Sequence, residues 1–222
     1  MNIALIGYGK MGHIIEEVAC ERGHRIVCII DQDNLQDFDS EAFATADVAV
    51  EFTTPATAEA NIRRAWSKGK PVVCGTTGWD VQSVHPADVS NQGRALVWSS
   101  NYSIGVNILF ALNRRLAELI TPDYRPSIVE THHIHKLDAP SGTAKTLAEQ
   151  IEEVCGILPE IESIREGEVP GIHTIMWDSE VDSLTLTHSA KSRKGFALGA
   201  VLAAEWIVGK TGFHTMQEVL FG

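Results

Sequence analysis

The chain has 222 residues and a formal net charge of −11, with 44% apolar and 21% charged residues. Those proportions belong to an ordinary globular protein, long enough for one large domain or two small ones, each with a core. An acidic balance without a Lys/Arg-rich block excludes nucleic acid as an expected partner, although local basic residues can still hold a small anion.

No apolar run reaches bilayer-spanning length, so no membrane partner is expected. The start MNIALIGYGKMG has neither the basic opening nor the cleavage site of a secretory leader. The four cysteines, Cys20, Cys28, Cys74 and Cys155, are scattered without a CxxC pair. They read as small buried residues of a cytoplasmic protein, with no disulfide framework and no zinc site.

In chain order, Asn2–Ile6 is a β-branched and apolar run that ends in glycines, and Lys10–Arg22 has helical spacing through Met11, Ile14, Ile15 and Val18. Arg25–Ile30, Asp47–Phe52, Pro71–Cys74 and Ala95–Trp98 read as further strands, with a helix over Ala56–Ser67. Between Asp31 and Asp47 there is room for a loop and one helical turn. Strands alternating with helices predict a parallel sheet built from βαβ crossovers.

The second half reads as α+β. Ile104–Ile120 is a long helix, Pro126–His133 a strand and Gly142–Cys155 a helix. His173–Asp178 and Ser183–Ser189 follow as a close, antiparallel pair with a turn signal at Asp182 and Ser183. An apolar helix, Gly195–Val208, and a short tail complete the pattern.

Gly7-Tyr8-Gly9-Lys10-Met11-Gly12 is a full GxGxxG between the first strand and the first helix. Its first glycine allows the tight turn, its second lets a pyrophosphate approach the backbone, and its third lets helix pack on strand. The helix N-terminus adds free N–H groups and a positive dipole end. Asp31 closes the second strand, where a carboxylate accepts hydrogen bonds from ribose hydroxyls and repels a 2′-phosphate. NADH is therefore expected to be preferred, with NADPH still usable. Phe52-Thr53-Thr54-Pro55, Gly75-Thr76-Thr77-Gly78 and Ser99-Ser100-Asn101-Tyr102 also follow strands of this sheet. Their small and hydroxyl-bearing residues suit a nicotinamide ribose and ring lying against backbone, or serve only as turns.

The stretch Glu130-Thr131-His132-His133-Ile134-His135-Lys136-Leu137-Asp138-Ala139-Pro140-Ser141-Gly142-Thr143-Ala144 concentrates polar chemistry. Ser141 has the place of an N-cap, and the helix start at Gly142 and Thr143 can hold a carboxylate. Lys136 can face a second carboxylate or donate a proton. Adjacent residues of a strand point to opposite faces, which separates His132 from His133. Three readings are open: a surface loop, a metal site of His132, His133, His135 and Asp138, or an acid–base and anion-binding site opposite a nicotinamide. The charge of Lys136 works against a dication.

This segment, in the form EXHHXHKXDAPSGTA, resembles the signature of the 4-hydroxy-tetrahydrodipicolinate reductase (dihydrodipicolinate reductase) family. GYGKMG, EFTTP, KGKPVVCGTTGW, SSNYSIGVN, HSAKSRKGFALGAVLAAEWIVGK and the terminal MQEVL match the family in order over nearly the whole chain. The resemblance implies reduction of a cyclic dicarboxylate imine with NAD(P)H in the diaminopimelate route to lysine. By the same resemblance, His132 is the proton donor and acceptor and Lys136 the second donor. His133, Ser141, Gly142 and Thr143 contact the substrate, and Gly7–Gly12, Asp31, Gly75–Thr77 and Ser99–Tyr102 take the cofactor. No metal is implied. Longer relatives carry an extra helix and strand between Asp31 and Asp47, and a basic residue where Gln32 stands here.

The expected fold class is α/β. A Rossmann-type dinucleotide-binding domain spans residues 1–103 and is completed by 195–222. An α+β substrate and oligomerisation domain with an open mixed sheet spans 104–194, and the resemblance makes it the contact of a homotetramer.

Overall fold

The structure, a computed structural model, describes residues 1–84 and 86–222, without the side chains of residues 86–88. Strand β1 (Asn2–Ile6) shows how the first unit is built: Ile3 and Leu5 are buried on one side and Ala4 and Ile6 on the other. A strand apolar on both faces belongs in the middle of a parallel sheet covered by helices on each side.

The chain then runs through α1 (Lys10–Glu21), β2 (Arg25–Ile30), α2 (Glu41–Ala44), β3 (Val48–Glu51), α3 (Ala58–Ser67), β4 (Val72–Cys74), α4 (Pro86–Asn91) and β5 (Ala95–Trp98). The connection from Asp31 to Asp47 holds more than the single turn read from the sequence. A 3₁₀ turn over Leu35–Asp39 precedes α2, and Phe38 and Phe43 from the two turns pack together at 5.2 Å in the core. Ser40 caps α2 by accepting from the Phe43 N–H.

Beyond the first sheet come α5 (Ile104–Leu119), β6 (Arg125–His132), α6 (Gly142–Cys155), β7 (Glu160–Arg165), β8 (Ile172–Asp178) and β9 (Ser183–Ser189). The chain ends with α7 (Lys194–Ile207), β10 (Gly212–His214) and α8 (Met216–Phe221). It divides into two units, one formed by Met1–Ile104 with Lys194–Gly222 and the other by Gly105–Arg193.

In the first unit six strands lie in the order β10-β5-β4-β3-β1-β2, every pair parallel. Chain direction out of β1 reverses between β2 and β3, the switch point where open α/β sheets bind ligands at strand C-termini. One face packs on α1 and α7, the other on α3 and the α2 region. The small residues of α7 permit close approach: a Cβ at Gly199 would lie 1.7 Å from the Tyr102 carbonyl oxygen.

In the second unit the order is β7-β6-β8-β9, with β6 and β7 parallel and the other pairs antiparallel. Along β6, Pro126, Ile128, Glu130 and His132 are buried, whereas Ser127, Val129 and Thr131 are only half-buried. Helices α5 and α6 cover the buried face, packing Val106, Phe110, Leu147 and Ile151 against Ile128, Ile175 and Trp177. The opposite face carries Val129, Ile164, Ile172, Thr174, Met176 and Thr187, and no element of this unit lies on it among the described residues. No helix among the described residues is long and apolar enough to cross a membrane.

Candidate functional site

The strand C-termini of the parallel sheet bring together the turns after β1, β2, β3, β4 and β5. Gly7 has φ +91°, and a Cβ there would meet the Phe52 carbonyl oxygen at 2.2 Å. A Cβ at Gly12 would meet the Gly7 oxygen at 2.6 Å, whereas at Gly9 nothing lies within 4 Å. The first and third glycines are thus demanded by packing, and the second leaves an open approach to the backbone. Helix α1 starts at Lys10 with no side-chain cap and no acidic residue in its first turn. Uncapped N–H groups, a positive dipole end and open space fit a pyrophosphate.

Around that cradle, Asp31 is exposed at the end of β2 and accepts from the Gln32 N–H at 2.8 Å and the Tyr8 N–H at 3.4 Å. Lys10 is exposed, Met11 is half-buried, and the Tyr8 hydroxyl donates to Glu16. Thr77 is exposed, but Thr76 is buried, with its hydroxyl donating to Glu51 at 2.7 Å. Ser99 donates to the Asn101 carbonyl at 2.8 Å, and Ser100 is exposed. Tyr102 is 2% exposed, and its hydroxyl lies 2.9 Å from the Cys74 carbonyl and 3.0 Å from that of Val97. Its ring therefore ties β4 to β5, and only its backbone is left to offer a ligand.

In the second unit, strand register assembles the polar cluster. Glu130 lies opposite His173 on β8, and His132 opposite Arg165 on β7. The Glu130 carboxylate is completely buried; it accepts from His132 Nδ1, from Arg165 Nη2 at 3.0 Å and from the Ser141 N–H at 3.3 Å. One carboxylate thereby joins the histidine, the neighbouring strand and the start of α6. Because Nδ1–H is committed to Glu130, the proton that His132 can exchange is at Nε2. Gly171, at φ +147°, leaves room there: a Cβ would stand 3.0 Å from that nitrogen.

Charges in this cluster follow from burial and partners. Burial opposes ionisation of Glu130, but Arg165 and His132 outweigh it and hold its carboxyl below the ordinary value. Burial lowers the pKa of His132, Glu130 raises it, and Lys136 and Arg165 lower it further, with a net downward shift. The net effect favours the neutral ring. His173 stands edge-on to His132 at 5.0 Å and is pushed down to about 4, first by burial and then by the His132 charge.

Ser141 does cap α6, accepting from the Ala144 N–H at 3.2 Å, and its hydroxyl also lies 3.3 Å from His173 Nε2. That hydroxyl is buried and engaged, so the exposed Gly142 and half-buried Thr143 form the accessible part of the helix start. Lys136 pairs with Asp138 at 2.8 Å. Arg165 also donates to the carbonyls of Lys136 at 3.4 Å and Asp138 at 2.6 Å, which shapes the loop carrying the lysine.

Strand β6 ends at His132, so His133 lies beyond the strand instead of inside it, as the sequence pattern had it. Its ring sits 5.9 Å from that of His135. The loop then turns at Lys136, whose N–H donates to the His133 carbonyl at 3.1 Å. The set His132, His133, His135 and Asp138 is not assembled; among the described residues, Glu130, His132 and His173 are those whose ligand atoms come within 4.8 Å of one another. Arg165 on Glu130 places a positive charge where a dication would need a negative one.

Comparison with known proteins bears directly on this constellation. Sequence profiles for dihydrodipicolinate reductase match twice, the N-terminus over residues 1–102 and the C-terminus over residues 105–220. The chain belongs to the dihydrodipicolinate reductase family. A 4-hydroxy-tetrahydrodipicolinate reductase from Christiangramia forsetii is 44% identical, covering 99% of this chain and 98% of its own. One from Akkermansia muciniphila is 36% identical over 96% of this chain and 94% of its own. The fold of a dipicolinate-bound dihydrodipicolinate reductase from Paenisporosarcina sp. TG-14 superposes with a TM-score of 0.81 at 21% identity, covering 97% of each chain. Enzymes of the dihydrodipicolinate reductase family are NAD(P)H-dependent oxidoreductases of lysine and diaminopimelate biosynthesis.

Glu130, Arg165, Gly171 and His173 carry no role legible in the sequence alone, although each touches the histidine cluster. Glu130 opens the family-like segment, and its place two residues before His132 puts both on one strand face. Arg165 required recognition of β7, whose sequence EIESIR alternates between faces and is closed by Gly167.

Proposed function

We propose that this chain reduces 4-hydroxy-tetrahydrodipicolinate to tetrahydrodipicolinate, with the unit built on the parallel sheet taking the nucleotide and the other unit taking the substrate. The observation that supports the assignment of roles most is the buried Glu130, which unites His132 with the start of α6. Gly7–Gly12, Asp31, Gly75–Thr77 and the backbone of Ser99–Tyr102 would hold NAD(P)H, which when bound would supply a hydride to C4 of the cyclic α,β-unsaturated imine that forms once the 4-hydroxy substrate has lost water.

Gly142 and Thr143 hold one carboxylate of that substrate at the helix N-terminus. His133 and Lys136 face the dicarboxylate. Two substrate carboxylates bring negative charge beside His132 and counteract the lowering by burial, so binding itself charges the ring. His132 then delivers its Nε2 proton to the enamine carbon as electron density builds there, and this one proton balances the one hydride and restores the C=N bond; the Lys136 ammonium, the second donor, hydrogen-bonds the ring nitrogen without giving up its proton.

NADH is the preferred reductant in this reading, because the Asp31 carboxylate repels a 2′-phosphate and Gln32 offers it no compensating charge. The open face of the four-stranded sheet pairs with those of other subunits in a homotetramer. The cytoplasm, in keeping with four unpaired cysteines, is the compartment.

The test is NADH and NADPH oxidation by the purified protein with enzymatically generated substrate. His132→Ala should lower kcat by about 10²–10⁴-fold while NADH binding is kept. Unchanged turnover would refute the acid role, and equal kcat/KM with both nucleotides would remove the argument from Asp31. Light scattering on the eluting protein checks the tetramer.

A further inference from the structure

The parallel sheet contains a second completely buried carboxylate, Glu51 at the end of β3. It accepts from the hydroxyl of Thr53, from Thr76 Oγ1 at 2.7 Å, from Cys74 Sγ at 3.1 Å and from Asn61 Nδ2 at 3.4 Å. All of these donors are neutral, and among the described residues no cation pairs with Glu51. A carboxylate withdrawn from water at such cost is not explained by packing, since an apolar side chain would fill the space more cheaply.

Its donors come from separate segments. Thr53 lies in the turn after β3, Thr76 in the turn after β4, and Asn61 on α3. The Thr76 hydroxyl also accepts from the Thr53 N–H at 2.8 Å, which closes a ring of hydrogen bonds across the two turns. Above it Phe52 is wedged between glycines: a Cβ at Gly7 or at Gly75 would meet it at 2.2 Å. The turns after β1, β3 and β4 thus rest on one another, and Glu51 is the group that binds two of them together.

We propose that Glu51 is a positioning residue for the nicotinamide half of the cofactor, acting through Thr53 and Thr76 to fix the turns after β3 and β4. This rests on the reading that residues 75–77 take that half.

The experiment compares dissociation constants of NADH and of ADP-ribose, which lacks the nicotinamide. Glu51→Gln keeps the volume but places an NH₂ among groups that already donate. It is expected to weaken NADH about tenfold, the size of one lost charge-assisted hydrogen bond, and to leave ADP-ribose within about twofold. Thr53→Val, which removes one hydroxyl without changing shape, should act in the same direction by about threefold, and it carries the test if Glu51→Gln does not fold. Equal weakening of both ligands, or no weakening of either, overturns the proposal. Thr77→Trp separates the two ideas by covering the exposed turn itself. If it discriminates against NADH while Glu51→Gln does not, the turn keeps its role and Glu51 loses its own. If neither discriminates, both fall.

Discussion

Glu51 and Glu130 are each fully buried toward the end of a strand, yet they are compensated in opposite ways. Around Glu51 stand two hydroxyls, a thiol and an amide. Around Glu130 stand a guanidinium, an imidazole and a helix-start N–H. None of the first set titrates near neutral pH in this setting; the Cys74 thiol is pushed far up by burial and then by Glu51. Such partners can transmit position but cannot exchange a proton. Glu130 faces a group that can, and it biases which nitrogen carries the proton. Burial alone therefore does not mark acid–base chemistry; the nature of the partners does.

The largest expected effect breaks the Glu130 side. Glu130→Gln should lower kcat by about 10²-fold, because the imidazole loses both its orientation and the charge that stabilises its protonated form. The sign of the pH effect is fixed as well. Glu130 raises the His132 pKa, so its neutral replacement lowers it, and the limb on which activity falls with rising pH moves to lower pH. A pH profile of kcat/KM checks this, and an unmoved limb would contradict it. In a cycle with His132→Ala the two losses should be far from additive, since both act through one ring.

Stability sharpens the same contrast. Arg165→Met leaves the buried Glu130 without its cation and is expected to cost about 3 kcal/mol in chemical denaturation. Asn61→Leu removes one of several neutral donors from Glu51 and should cost about 1 kcal/mol. Equal costs would mean that the two carboxylates are compensated alike.

His173, which shares the Glu130 cluster, adds a pH dependence of its own. Its pKa is 6.5 in the unfolded chain and about 4 in the folded one, so the unfolded state takes the proton first as pH falls. Its contribution is complete above pH 6.5 and is lost between there and pH 4, by about 3 kcal/mol, after which it is constant. His173→Phe, which cannot be charged, should lose correspondingly less stability across that window in denaturation series at each pH.

The parallel sheet could be read from the sequence because β1, β2, β3 and β5 are apolar runs separated by helical spacing and glycine turns. The glycine turn could be read because each glycine answers a steric demand that the structure makes explicit at Gly7 and Gly12. Short elements escaped: β10 has three residues, too few to show a period. Helix α8 carried a legible signal, the Thr215–Glu218 capping box, inside what reads as a tail. In the histidine segment the named acid was accessible to sequence reasoning, but its supports were not. Arg165 and His173 come to it through strand register, which depends on pairing between distant segments. Glu51 was hidden for another reason: at the end of an apolar strand it looks like the first polar residue of a turn, and only the folded chain surrounds it with donors.

The smallest expected effect is a null one, and it separates the two carboxylates most cleanly. Glu51→Gln alters the turns after β3 and β4, and its direct partners are hydroxyl, thiol and amide groups. The proton assigned to catalysis is held by His132, whose pKa is set by burial and by Glu130, Lys136 and Arg165. With NADH saturating, the limb of the kcat/KM profile for the dicarboxylate substrate should therefore stay within about 0.2 of wild type, even where turnover falls, because the groups that set the ring's pKa are all kept. Glu130→Gln measured in the same buffers must move it. If both variants shift the limb, Glu51 reaches the proton by some route other than position, and the division between a placing carboxylate and a proton-biasing one fails.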